Sequence, residues 1–301
     1  MQIAGPTDFV RNSEQGFVLL VVLWVLTSAV ILVSTFSGAI RSSTASAISE
    51  VSWTKSQALL DAGLEVAAAH LIDLNESRRW TGDGTKRTIK FADATLTITT
   101  SDASGMIDLN KTDDEVLRIF FRKFVGSDVE AERLTATVVQ AREEASGNQQ
   151  NLSAGIEVKS SSFSAQPAYV DVWQFARTSG ISADLFQRML PYLTVFNADG
   201  MINPLAASPT VIESIPELNS ADIESLKHAS KSSIGDLVEK SETYLTDQAG
   251  PAFLITVSAQ RPDDGYSLTR TYAIAVEVDP SAPYRLLAKW PMVSSPIEKT
   301  P

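Results

Sequence analysis

Two histidines and no cysteine limit what side-chain chemistry this 301-residue chain can perform. Without Cys there is no thiolate nucleophile, thiolate metal ligand or disulfide. A serine nucleophile would need His70 or His228 as its base, beside an acid, and no nucleophile-elbow motif is present. Both histidines are expected on helix surfaces, so no catalytic residue is assigned and the chain is read as a non-enzyme. The run Asp102-Ala-Ser-Gly-Met-Ile-Asp-Leu-Asn110 is rich in side chains that bond nearby backbone, which describes a turn. A calcium loop is the other reading, but no Glu closes the run at the required spacing, so metal ligands stay unassigned and no cofactor is evident. The formal charge is −11, and residues 111–250 carry 20 acids against 12 bases, a net of −8. Such a surface repels phosphates and excludes a nucleic-acid partner.

The element that must position everything else is the uncharged stretch from Phe17 to Ile40, 24 residues long. As a helix it spans roughly 36 Å, enough to cross a hydrocarbon core of about 30 Å with some tilt. The helical texture then passes Arg41 and Trp53 and continues to about Leu71 without a proline. A cleaved signal peptide is one reading, with Ala45-Ser-Ala47 as its site. Its apolar core would be far longer than the usual 7 to 15 residues, and Arg41 intervenes. A plain single-span anchor is another. Arg11 is offset by Asp8 and Glu14, and Arg41 lies beyond the span, so charge alone does not orient it.

In the second half of this helix Leu60, Leu64, Ala67 or Ala68, and Leu71 form one stripe suited to packing on a sheet. Thr88–Phe91 and Thr95–Thr99 alternate about an Ala-Asp turn and predict a hairpin. From Lys111 short helices follow. Thr112-Asp-Asp-Glu115 and Ser127-Asp-Val-Glu130 read as capping boxes. The first opens a helix with Val116, Leu117, Phe120, Phe121 and Phe124 as core; the second carries Leu134, Val138 and Ala141. Gly147–Pro167 is polar and reads as a surface loop. Further helices are expected at 171–177, 183–190 after a Ser182 cap, from Ser208-Pro209 onward, and at 221–228. Strand texture returns at Ala252–Ser258, Ser267–Val278 and Tyr284–Trp290, the first two joined by Arg261-Pro-Asp-Asp-Gly265. Strands on both sides of a helical block imply a helical subdomain inserted into one sheet.

A polar leader ending in Gly16, then Phe17, then a hydrophobic helix with an amphipathic second half resembles the type IV pilin and type II secretion pseudopilin family. The resemblance implies cleavage between Gly16 and Phe17 by a prepilin peptidase, with methylation of the new N-terminal Phe17. Most members carry Glu at the fifth mature position, where this chain has Val21. That departure, with Leu19-Leu-Val-Val-Leu-Trp-Val-Leu26, resembles the large minor pseudopilins of type II secretion. So do Asp102–Asn110, with Asp108 where Asn is usual, Pro191-Tyr-Leu-Thr-Val195, and Asn197–Ala207. An acidic, Trp-bearing motif common in those subunits is reduced here to Ala141-Arg-Glu-Glu144.

The implied fold is α+β, a pilin-like long N-terminal transmembrane helix on a small antiparallel sheet, with a large inserted α-helical subdomain. The expected division is leader 1–16, helix 17–71, sheet 72–110, helical insertion 111–249, sheet 250–292 and disordered tail 293–301. The resemblance implies a pseudopilus tip subunit of the bacterial inner membrane with its body in the periplasm, nucleating or capping assembly for protein export. Implied partners are minor pseudopilins I and J and the major pseudopilin G. A membrane-anchored periplasmic adapter, or a minor pilin of a type IV pilus, is the alternative. Because Gly16 offers no Cβ to a peptidase cleft, Gly16→Leu should leave the leader attached and block assembly. Mass spectrometry of the mature chain should find N-methylated Phe17 at its start; an intact Met1 would contradict the pilin reading.

Overall fold

The computed structural model describes residues 13–153, 167–226, 234–262, 266–276 and 282–296. They fall in two compact units, Met1–Ala58 and Leu59–Pro301. Helix α1 (Ser13–Leu71) contributes to both. In the first unit, Phe17–Ser34 is long and apolar enough to cross a membrane, with mean hydropathy 2.8 and none of it buried. Thr27 donates its hydroxyl to the Leu23 carbonyl at 2.7 Å, so this polar group is satisfied within the helix.

In the second unit the expected stripe is buried. Leu60, Leu64, Ala67, Ala68 and Leu71 pack with Leu96, Ile98, Ile255, Val257, Tyr272 and Ile274. Those partners come from β2 (Ala94–Asp102), β5 (Ala252–Gln260) and β6 (Tyr266–Val276). With β1 (Asp83–Phe91) and β7 (Tyr284–Lys289) they form an antiparallel sheet in the order β1-β2-β5-β6-β7. The β2–β5 contact joins the two halves of the chain across everything between them. Two polar ties flank the stripe. Asp61 accepts from the Tyr272 hydroxyl at 2.8 Å and the Lys289 ammonium at 2.9 Å, and Glu65 accepts from Tyr284 at 2.6 Å.

The residues between β2 and β5 build a second, helical core. Its elements are β3 (Ile107–Asp108), α2 (Asp114–Val125), α3 (Asp128–Ser153), α4 (Val172–Ser179), α5 (Ala183–Met189), β4 (Leu193–Thr194), α6 (Pro209–Ile212), α7 (Ser220–Leu226) and α8 (Gly235–Lys240). Val116, Leu117, Phe120, Phe121, Leu134, Val138, Phe175, Phe186 and Met189 are buried together. The architecture is therefore α+β with an N-terminal apolar helix, an antiparallel sheet and a helical subdomain, as the sequence implies.

Several details differ from the sequence reading. The N-cap of α2 is Asp113, whose side chain accepts from Glu115 N–H. Thr112 is instead drawn into a buried bond with the Asp108 N–H. The loop expected from Gly147 begins later, because α3 runs to Ser153. The tail expected to be disordered from residue 293 forms β8 (Val293–Pro296), paired with β6 from Tyr266 to Thr269. Residues 263–265 of the expected turn and the tail beyond 296 lie outside the described residues, as does His228. Phe124 is half-buried at the edge of the helical core, whereas Phe120 is fully buried and meets Phe121, Phe124 and Tyr192.

This difference orders two substitutions. In detergent-solubilised protein Phe120→Ala should cost about 3–5 kcal/mol, because truncation leaves a cavity among aromatic rings. Phe124→Ala should cost clearly less. Thermal melts that rank Phe124 above Phe120 would contradict the assigned core.

Candidate functional site

The polar turn at 102–110 becomes a buried node. Ile107 and Asp108 pair in parallel with Leu193 and Thr194, so two stretches far apart in sequence meet as β3 and β4. The Asp108 side chain is 1% exposed. It accepts from Asn110 N–H at 2.7 Å and, 89 positions along the chain, from Asn197 N–H at 2.9 Å. Thr112 accepts from Asp108 N–H at 2.8 Å and donates to the Gly200 carbonyl at 3.2 Å. Gly200 has φ +80°, and a Cβ there would meet Lys111 backbone at 2.5 Å, so glycine is required on both counts. Asn110 exchanges two bonds with the Tyr169 backbone, at 2.8 and 2.9 Å.

Arg142 closes the node from α3. Its guanidinium donates to the carbonyls of Leu109 and Thr112, each at 2.9 Å, and to Asp114 at 3.0 Å. Orphan carbonyls of the turn are thereby satisfied by a planar donor fork. No sequence signal pointed to this role, since an Arg on a polar helix face is ordinarily solvated. The carboxylates do not converge on a cation. Asp102 is spent on Ser104 N–H and Gly250 N–H. Among the described residues no group of three or more Asp, Glu or His side chains could hold a metal ion.

Burial pushes the Asp108 carboxyl up to about 6, against the two N–H donors, Arg142 and Lys111, which favour the anion. A cleft of about 190 Å³ lies beside the node, with Lys111, Asp113, Asp199, Gly200 and Tyr244 among its lining residues. It contains no histidine. His70 is engaged elsewhere, stacked on Trp80 at 4.5 Å between ring centroids, with Nδ1 3.0 Å from the Arg78 carbonyl. Arg87 covers the ring of Trp80 at 4.9 Å. That geometry makes His70 a half-buried tie between the end of α1 and the segment that precedes β1.

Of the residues implied by the pilin resemblance, Gly16, Phe17 and Val21 all lie in α1. Phe17 and Val21 are exposed, at 70% and 42%.

The fold is pilin-like, an antiparallel sheet under an N-terminal helix, with a helical subdomain between the sheet's two halves. No protein-family model matches the sequence, and no curated protein matches it either. Among solved structures the fold is similar to GspK in the GspK–GspI–GspJ complex of the enterotoxigenic Escherichia coli type 2 secretion system. Identity is 12%, with a TM-score of 0.51, over 82% of this chain and 98% of that one. The chain has a GspK-like fold.

Asp108 gives the node a pH signature. Its folded pKa is raised, so the folded state holds this proton more tightly than the unfolded chain does. The effect favours folding most below the unfolded value near 4, and that gain is lost as pH rises toward about 6. The loss amounts to about 3 kcal/mol. Measured against Asp108→Asn, wild-type stability should decline across this window and run parallel above it. Parallel pH profiles throughout would contradict the buried assignment.

Proposed function

We propose that this chain is a minor pseudopilin of a type II secretion system, of the protein K type, and that it occupies the pseudopilus tip. The observation that carries the reading is the GspK-like fold, which extends over 98% of the similar chain. The apolar segment Phe17–Ser34 supports it as a single-pass inner-membrane anchor, with the body in the periplasm. In this reading a prepilin peptidase cuts between Gly16 and Phe17 and methylates Phe17. The similar protein is in complex with GspI and GspJ. The partners proposed here are the corresponding minor pseudopilins I and J, joined through the first helix, with the major pseudopilin G below. The role is assembly, without catalysis.

Val21 carries the mechanism. In most pilins, the family resemblance implies, a fifth-position Glu pairs with the N-terminal ammonium of a neighbouring subunit. A subunit with no neighbour above it would hold that carboxylate unpaired, at roughly 2.5 kcal/mol or more within the bilayer. Valine removes the charge. The bulk of the helical subdomain suits the same position, since it would obstruct addition of another subunit. Val21→Glu should still be processed at Gly16, yet start fewer pseudopili or move to internal positions. Secretion and the location of the variant in sheared pseudopili measure this. Unchanged secretion with the variant still at the tip would overturn the mechanism.

A further inference from the structure

We infer that Asp102 is the latch of a hinge between the sheet and the helical subdomain, and that it holds that subdomain at one fixed angle. This rests on the tip reading only for its purpose, since an obstructing cap must not swing. The chain leaves the sheet at the end of β2 and returns at the start of β5, and Asp102 sits where the two crossings touch. One carboxylate oxygen accepts from Ser104 N–H at 2.8 Å, in the 3-10 turn by which the chain leaves β2. The other accepts from Gly250 N–H at 3.2 Å, on the returning strand. Asp102 is itself fixed to the sheet side, because its own N–H donates to the Gly82 carbonyl at 2.8 Å.

The surroundings fit this one side chain closely. A Cβ at Gly82 would lie 2.7 Å from the Asp102 Cβ, and one at Gly250 would lie 2.9 Å from the carboxylate. Asn203 completes the neck, donating from its backbone to the Ser104 carbonyl at 2.8 Å and from its side chain to the Gln248 carbonyl at 3.1 Å. Gly105 presses on the same segment, where a Cβ would meet the Ala206 carbonyl at 2.5 Å. Beyond the neck, Phe196 meets Trp290 edge-on at 6.2 Å between centroids. The sheet and helical cores have no member in common. An aromatic edge contact resists separation but can slide. The directional bonds of Asp102, joined by those of Asn203, are what can set an angle.

Asp102→Asn keeps the shape but turns an N–H₂ group toward one of the two N–H donors, which opens the latch. Gly250→Ala crowds the carboxylate instead. The chain has no Cys, so spin labels on Val129→Cys and Lys90→Cys report the angle in the full-length, detergent-solubilised protein. A control pair, Val129→Cys with Val170→Cys, lies within the helical subdomain. Pulsed electron spin resonance should give a narrow distance distribution for the first pair in the parent, broadened in both neck variants, while the control stays narrow. An unbroadened first pair in either neck variant would overturn the latch. Broadening of the control as well would make Asp102 a folding contact of the helical subdomain and also overturn it. A confirmed latch whose opening leaves secretion intact would leave this inference standing and count against the capping role.

Discussion

The structure depends on one pairing, that of β2 with β5. Its register runs from Thr95 with Gln260 to Asp102 with Phe253, so each rung joins residues separated by about half of the chain. Closing a loop of that size costs on the order of 4 kcal/mol in chain entropy beyond the constant for any closure. The sheet contributes against this only if the intervening residues leave and return at one point. That condition explains why the neck is dense in glycines and backbone hydrogen bonds, and why the intervening segment has its own core. Contacts of such sequence separation also make slow folding the expectation.

The second constraint is the face that the sheet presents to the helix. Gly63 lies so close to β5 that a Cβ would meet a Val257 methyl at 2.4 Å. Small residues at Gly63, Ala67 and Ala68 let helix and sheet approach. Leu60, Leu64 and Leu71 fill the flanks. Each large aliphatic buried there contributes roughly 1.5–3 kcal/mol. Asp61 and Glu65 then fix the register of the helix over β6 and β7 through tyrosine hydroxyls, which a purely apolar stripe would not specify. The same helix is uncharged and exposed from Phe17 to Ser34, a stretch long and apolar enough to cross a membrane.

Much of this was legible in the sequence because it follows from period and composition. The apolar segment, the Leu60–Leu71 stripe, the hairpin about Ala92-Asp93 and the flanking strands all announce themselves by spacing. What spacing could not show was partner choice over long distances. Thr112 looks like an N-cap by its neighbours, yet the Asp108 amide and the Gly200 carbonyl compete for its hydroxyl and win. Arg142 satisfies carbonyls on a distant turn, a role that its place in Ala141-Arg-Glu-Glu144 does not reveal. β3 and β4 are two residues each, too short for any alternation to register. In the sequence Asp108 stands out only as an Asp where the resembling subunits usually have Asn. Its meaning came from the Asn197 amide, which no local reading would bring within reach.

The function proposed for this chain requires it to join other pilin-like subunits. The most direct measurement is isolation of the full-length protein from its native membranes, followed by mass spectrometry of what accompanies it. The account predicts two smaller subunits of pilin-like sequence in equal amounts, each beginning with a methylated residue at the edge of an apolar helix. Recovery of the chain alone, or with an unrelated soluble partner, would contradict it.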